Sequence, residues 1–133
     1  FRCFDWMLEV ADQELSEEMI KEFHRILKSN TSDSCKDWFN VGEYKKMPNM
    51  IGETKTTDPA EVEGEMVKLI TNYNNIRNKK FYDIVEFHTL FETIHPFQDG
   101  NGRVGRLILF KECLKNGIVP FIITDDKKLY YYR

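Results

Sequence analysis

The chain has 133 residues, of which 41% are hydrophobic and 31% charged, and its formal net charge is −3. This length fits one domain over residues 1–133, and the apolar content is enough for a buried core, which excludes a disordered chain. The negative net charge excludes a general binder of nucleic acids or anionic membranes, because such proteins need an excess of Lys and Arg. Any anion site must therefore be local, and residues 101–133 hold seven basic against three acidic residues.

Apolar residues recur at helical spacing in five stretches, which predicts a mostly α-helical fold. Ser16 is a suitable N-cap for the second stretch, and Asp58–Glu61 has the cap, proline and glutamate of a capping box at the start of the third. The fourth stretch ends at His95, because the proline after it disfavours helical geometry there, and the fifth stops at Asn116–Gly117. The faces expected to be buried are Phe1, Phe4, Leu8 and Ala11 in the first; Met19, Ile20, Phe23, Ile26 and Leu27 in the second; Val62, Met66, Leu69, Ile70 and Tyr73 in the third; Ile84, Phe87, His88, Phe91 and Ile94 in the fourth; and Val104, Leu107, Ile108 and Leu114 in the fifth.

Residues 41–57 break the helical pattern. Gly42 and Gly52 bound two short strand-like arms on either side of Pro48–Asn49, a dipeptide typical of turns. We interpret this segment as a small exposed β-hairpin that turns at Pro48–Asn49. An irregular loop is the alternative.

The three cysteines, Cys3, Cys35 and Cys113, are odd in number and far apart, which fits neither a zinc site nor a disulfide framework. They indicate idle thiols in a reducing compartment, and we expect a cytoplasmic protein. No apolar stretch is long enough to span a bilayer, so we expect no membrane partner. The negative net charge likewise leads us to expect no nucleic-acid partner. Because the chain starts at Phe1 and stops in the aromatic run Tyr130–Arg133, we interpret it as a segment of a longer protein.

Residues 95–106 read HPFQDGNGRVGR and lie between two predicted helices. Gly100, Asn101 and Gly102 come directly before the fifth helix, so their N–H groups and the positive helix end face a common point that suits a phosphate. Arg103 and Arg106 are three residues apart on that helix and can present two guanidinium groups to further phosphate oxygens. The pattern therefore favours a polyphosphate over a single phosphate.

Two further side chains in this segment suit chemistry on such an anion. Asp99 is a poor phosphate contact but a good ligand for Mg²⁺ that phosphate oxygens already hold. His95 titrates near neutral pH and is a candidate general base. Each residue taken singly has an ordinary structural explanation, such as a solvated helix face for Arg103 and Arg106 or a simple turn at Asp99.

The combination is far more specific than its parts. The pattern HPFxDGNGRxxR has nine fixed positions, and a chance match at a given start is on the order of 10⁻¹² at typical residue frequencies. The sequence here resembles the Fic domain family of the Fic/Doc superfamily, whose signature is HPFx(D/E)GNGRxxR, and it matches every fixed position. The resemblance covers roughly residues 15–132 and includes KEFHRIL, GEYKKMPNMI and VEFHTLFETIHPF.

The resemblance implies a Fic-type helical bundle with a β-hairpin flap over the active site. It implies a protein adenylyltransferase that transfers AMP from ATP to a Ser, Thr or Tyr hydroxyl of a target protein. The catalytic residues would be His95, Asn101 and Arg103, with Asp99 holding Mg²⁺. The residues assigned to the nucleotide phosphates are Gly100, Asn101, Gly102, Arg103 and Arg106. The flap residues expected to dock the target are Met47, Pro48, Asn49, Met50 and Ile51.

Several alternatives stay open. Transfer of UMP is one, and a non-catalytic module for nucleotide binding or protein docking is another. Many family members are restrained by a helix with the motif (S/T)xxxE(G/N), whose Glu pairs with the position of Arg103. Glu63–Gly64 has the right ending, but Pro59 stands where Ser or Thr is required. We therefore expect an inhibitory element in the flanks or in a separate protein, and a homo-oligomer is a further alternative.

Overall fold

The computed structural model describes residues 2–29, 41–123 and 128–131. Helices dominate this part of the chain, as the apolar spacing predicts. The helices are α1 (Arg2–Glu9), α2 (Glu17–Lys28), α3 (Pro59–Asn74), α4 (Phe81–Ile94) and α5 (Asn101–Lys115), and the strands are β1 (Met50–Ile51), β2 (Thr54–Lys55), β3 (Pro120–Ile123) and β4 (Lys128–Tyr131).

The core lies where α4 packs between α3 and α5, with α1 and α2 against α5. The buried faces of α3 and α4 agree with the prediction, except that His88 is only half-buried. In α2, Met19, Ile20 and Phe23 are buried as predicted. In α5, Leu114 was expected to be buried but is 45% exposed, and the neighbouring Cys113 is buried instead.

The buried face of α1 differs from the prediction. Phe4 and Leu8 are 46% and 49% exposed, and the helix buries Cys3 and Met7 instead. Phe1 lies outside the described residues. Two contacts with α2 set this orientation: the Trp6 ring lies edge-on to Phe23 with centroids 4.8 Å apart, and Cys3 Sγ donates to the Phe23 carbonyl over 3.4 Å. Both faces of this short helix are apolar, so the packing partner decides which one is buried.

The helix boundaries follow the sequence signals, with one exception. Ser16 caps α2 as predicted, because its Oγ accepts from Met19 N over 3.1 Å. Pro59 occupies the start of α3, but the Asp58 side chain makes no capping hydrogen bond, so the predicted capping box is wrong. The Asp58 backbone carbonyl accepts from Glu61 N over 2.8 Å instead.

A cluster of buried polar side chains holds α5 against its neighbours. Tyr73 Oη donates to Glu112 Oε1 over 2.7 Å, and Lys111 Nζ lies 2.6 Å from Glu112 Oε2. Lys111 Nζ also donates to the carbonyl of Ala11 over 3.2 Å. Because these bonds join α5 to α3 and to the chain after α1, they hold the helix whose start carries the candidate site.

The hairpin of residues 50–55 confirms the predicted β structure but not its turn. Ile51 pairs with Thr54, and Gly52 at φ 59° begins the connection, a left-handed conformation that favours glycine. Pro48–Asn49 precedes β1 rather than forming the turn. The Asn49 side chain is committed to other partners, which are described below.

A second hairpin, which was not predicted from the sequence, follows α5. Strands β3 and β4 pair antiparallel, with Phe121 opposite Tyr130. Within the described ranges, no helix is long and apolar enough to cross a membrane. Cys3 and Cys113 are free and buried, as predicted, whereas Cys35 lies outside the described residues.

Candidate active site

His95 directly follows α4 and marks the end of that helix, as the sequence predicts. Its backbone is left-handed at φ 52°, and its N–H makes a last helical bond to the Phe91 carbonyl over 2.9 Å. The ring is half-buried, and Nδ1 is buried with no hydrogen-bond partner among the residues described. Because burial lowers the pKa of His95 below its usual range, the ring is neutral near pH 7 and can accept a proton.

The loop after His95 is closed by Asn101. Its Oδ1 accepts from Phe97 N over 2.8 Å, and its Nδ2 donates to the Phe97 carbonyl over 2.7 Å. Asn101 is 2% exposed, so its amide shapes the loop, whereas sequence reasoning expected it to donate to an anion. Phe97 is fully buried and anchors the loop in the core.

The start of α5 is open to an anion. Gly100 is the N-cap at φ 83°, and a methyl group on it would lie 3.2 Å from Lys28 Cε, so both conformation and space require glycine. The first backbone bond of the helix runs from Val104 N to Gly100 O over 3.0 Å. The N–H groups before Val104, including that of Gly102, therefore have no carbonyl within the helix and can serve a phosphate.

The two arginines of the signature lie at this same helix start. Arg103 and Arg106 are both exposed. A methyl group on Gly102 would lie 3.3 Å from Arg106 Nη1, and Arg103 Nη2 lies 4.0 Å from Asp99 Oδ2. Both guanidinium groups thus lie at the start of α5, with Arg106 against Gly102 and Arg103 near Asp99.

Asp99 lies at the rim of the loop with a 59% exposed side chain. Its Oδ2 accepts from Lys28 Nζ over 2.8 Å, and this bond holds the pKa of Asp99 below its usual range. In the described part of the chain, no group of three His, Cys, Asp or Glu side chains could hold a metal alone. A single ionised, accessible carboxylate fits Mg²⁺ that is bound mainly through substrate phosphates.

His24 supports the loop from α2. Gly42 N donates to His24 Nδ1 over 2.9 Å, which makes Nδ1 the acceptor, and Nε2–H therefore donates to the Asp99 carbonyl over 3.0 Å. The ring stacks on Phe97 with centroids 4.1 Å apart. Burial lowers the pKa of His24 to about 4. His24 is therefore a buried, hydrogen-bonded histidine that supports the signature loop, a role that sequence reasoning missed.

The segment leading into the hairpin is fastened to the signature loop. Lys45 N donates to the Pro96 carbonyl over 2.8 Å, and the buried Lys45 Nζ donates to Asn49 Oδ1 over 2.6 Å and to Thr56 Oγ1 over 2.7 Å. Asn49 Nδ2 donates to the Phe97 carbonyl over 2.8 Å. Burial lowers the pKa of Lys45 to about 8. Asn49 therefore anchors the segment, although sequence reasoning placed it among the docking residues.

The remaining residues that were assigned to target docking are exposed. Met47, Met50 and Ile51 are 49%, 52% and 44% exposed, and Pro48 is exposed as well. Met47 N and the Met47 carbonyl each lie 3.3 Å from the Gln98 side-chain amide, which joins this edge to the signature loop. An apolar, exposed edge thus lies next to the loop.

A separate cavity of about 320 Å³ lies between α3 and α4. Its α4 wall includes Glu86, Leu90 and Thr93, which lie on the opposite side of that helix from His88 and Glu92 by helical periodicity. None of the signature residues lines it, so it is not part of the candidate site.

The fold and the loop together define a mostly α-helical domain with a short β-hairpin next to the signature loop. The chain belongs to the Fic/DOC family, whose model matches residues 14–112. A probable protein adenylyltransferase of Aquifex aeolicus is 42% identical over 96 residues, which are 68% of this chain and 29% of that protein. Protein adenylyltransferase fic-1 of Caenorhabditis elegans is 28% identical over 130 residues, 95% of this chain and 24% of its own length. The chain thus spans under a third of these curated relatives.

Solved structures show the same fold. A Fic domain containing signaling protein from Bacteroides thetaiotaomicron matches with a TM-score of 0.73 and 27% identity, over 95% of this chain and 52% of that one. A Fic family protein from Desulfovibrio desulfuricans matches with a TM-score of 0.69 and 27% identity, over 88% of this chain and 35% of that one. The mostly α-helical Fic fold is therefore confirmed.

Proposed function

We propose that this domain is a protein adenylyltransferase, which transfers AMP from ATP to a Ser, Thr or Tyr hydroxyl of a target protein. One observation carries the proposal: a neutral, half-buried His95 stands beside a helix start that offers open N–H groups and two arginines. The relatives named protein adenylyltransferase support it.

His95 is the general base in this proposal. Nδ1 is the buried ring nitrogen, so Nε2 faces the substrate and takes the proton of the target hydroxyl. The hydroxyl oxygen then forms a bond to the α-phosphorus while the bond from that phosphorus to the bridging β-phosphate oxygen breaks. Pyrophosphate leaves with the electron pair, and the proton stays on His95 until solvent removes it.

The start of α5 stabilises the charge that develops on the phosphates. The N–H groups from Asn101 to Arg103 donate hydrogen bonds to phosphate oxygens, and Arg103 and Arg106 neutralise the β- and γ-phosphates. Asp99 would hold Mg²⁺ together with phosphate oxygens, and this ion supplies further charge neutralisation. Since Lys28 already contacts Asp99, the carboxylate must be shared between the two cations.

The hairpin edge orients the target. Met47, Met50 and Ile51 are exposed next to the loop, and a strand edge can pair with an extended peptide backbone. The anchoring bonds of Lys45 and Asn49 keep this edge at a fixed distance from His95. These bonds position the hydroxyl for in-line attack.

The test is incubation of the protein with Mg²⁺, a lysate and ATP labelled on the α-phosphate, beside a His95→Ala variant. We expect α-label on protein with the intact chain and none with the variant. Parallel reactions with γ-labelled ATP and α-labelled UTP identify phosphate and UMP transfer. Label from either of these without α-label from ATP overturns AMP transfer, and no label from any donor indicates a non-catalytic module.

A further inference from the structure

The side-chain amide of Gln98 pairs with the backbone of Met47. Met47 N donates to Gln98 Oε1, and Gln98 Nε2 donates to the Met47 carbonyl, each over 3.3 Å. The two residues are 51 positions apart in sequence, with Gln98 in the signature loop and Met47 just before the hairpin. One side chain thus binds both hydrogen-bonding groups of one backbone residue.

This pairing has the pattern of a β-sheet. In an antiparallel sheet, two directly opposed residues exchange both of their N–H···O bonds. A primary amide carries a C=O and an N–H group as a peptide does, so Gln98 presents to Met47 what a residue of a neighbouring strand would present. The Gln98 side chain therefore occupies a position that an extended peptide backbone can fill.

The main chain of the signature loop does not fill this position itself. Lys45 N donates to the Pro96 carbonyl over 2.8 Å, and among the residues described this is the only backbone–backbone bond between the loop and the segment before the hairpin. Pro96 has no N–H with which to return the bond. At Met47, two residues further along, a side chain takes the place of the loop backbone.

The bonds of Gln98 differ from those that fasten this segment to the loop. Asn49 Nδ2 donates to the Phe97 carbonyl over 2.8 Å, and Lys45 N is bound as described above, so the segment stays attached without Gln98. The two bonds of Gln98 are longer and lie at the surface, where Met47 is 49% exposed. Replacing such bonds by equivalent ones costs little, and the released glutamine regains rotamer freedom.

We propose that Gln98 holds the docking position of the target: its amide pairs with Met47 in the free protein, and the backbone of an extended target segment replaces it there. This inference rests on the proposed function, in which the hairpin edge orients the target. The partner must offer a free N–H and a free C=O from one residue, so it is a loop or a terminus rather than a helix, whose backbone groups are already paired.

The first test is hydrogen exchange in the nucleotide-free protein, followed by NMR. Gln98→Met keeps a side chain of similar length that cannot pair, so the Met47 amide should exchange about fivefold faster than in wild type. The chain has two glutamines, and Gln13 is exposed. Gln13→Met is therefore the matched control and should leave the Met47 amide unchanged. Equal exchange of this amide in Gln98→Met and wild type overturns the proposal.

The second test uses a pool of short peptides with Ser, Thr or Tyr at the centre and mixed residues elsewhere. Adding this pool to the wild-type protein should move the side-chain amide signals of Gln98 towards those of a free primary amide, while the Met47 amide stays protected. This readout does not depend on transfer. Gln98 signals that stay in place at saturating peptide overturn the proposal.

Transfer to the same pool gives the direction of the effect. With α-labelled ATP and peptide below its KM, Gln98→Met should label the pool about threefold faster than wild type or Gln13→Met, with the KM for ATP unchanged. Slower labelling would show that Gln98 holds the hairpin in place, which overturns the proposal. If no protein labels the pool but the Gln98 signals move as stated, the proposed function fails while the docking position stands.

Discussion

Lys28 Nζ, which is buried at the end of α2, lies 2.8 Å from Asp99 Oδ2 in the signature loop. The two residues are 71 positions apart in sequence. The contact joins α2 to the loop, and it supplies a cation to the one carboxylate that is suited to Mg²⁺ there. In the proposed reaction, Mg²⁺ would have to compete with Lys28 for Asp99.

Lys28→Met should lower the Mg²⁺ concentration needed for half-maximal ATP binding by on the order of threefold, because the carboxylate loses its competing cation. The measurement is calorimetric titration of ATP at a series of Mg²⁺ concentrations. Lys21 lies on the same helix and pairs with Glu43 instead, so Lys21→Met should behave as wild type. A higher Mg²⁺ requirement in Lys28→Met would show that Lys28 assists the metal rather than competing with it.

His24 should make the fold sensitive to acid. The pKa of His24 falls from 6.5 to about 4 on folding, so the unfolded chain binds the proton more readily between these values. Stability from this group is complete above pH 6.5 and is lost as the pH falls towards 4, by about 3 kcal/mol in total. Urea denaturation at a series of pH values from 7.5 to 4 measures this loss of unfolding free energy. A His24→Asn variant should show a flatter profile, and equal slopes in the two proteins would count against the assignment.

Asn49→Ala should destabilise the protein by about 1–3 kcal/mol, because Lys45 Nζ and the Phe97 carbonyl each lose a hydrogen-bond partner. The hairpin should also lose hydrogen-exchange protection before the rest of the fold does. Thermal denaturation and exchange measured by mass spectrometry test both effects. Asn72→Ala, on the exposed side of α3, is the matched control, and similar losses in the two variants would contradict an anchoring role for Asn49.

Arg103→Ala should lower kcat/KM for ATP by about 10²-fold, because it removes charge next to the phosphates during transfer. The fold should be unaffected, since the side chain is exposed and its contact with Asp99 is 4.0 Å long. Arg77→Ala removes an exposed arginine away from the loop and serves as the control. Unchanged turnover in Arg103→Ala would remove the phosphate role from this residue.

The helices and the signature loop could be predicted because their determinants are local. Periodic apolar residues mark the faces of α2, α3 and α4, and His95 before a proline marks the end of α4. The face of α1 could not be predicted, because both of its sides are apolar and the contact of Trp6 with Phe23 selects one. The hairpin turn was misplaced for a related reason: Asn49 is a good turn residue locally, but its tertiary bond to Phe97 uses it as an anchor.

The sequence by itself determined the family, the fold class and the extent of the signature loop, because these depend on a contiguous motif and on repeating patterns. Only the tertiary structure decided which distant groups complete the site. Lys28 at Asp99 and His24 under the loop both come from α2, and nothing in their local sequence distinguishes them from ordinary helix residues. Their roles arise from burial, since a charged or polar group removed from water must find a partner, and packing alone determines which one.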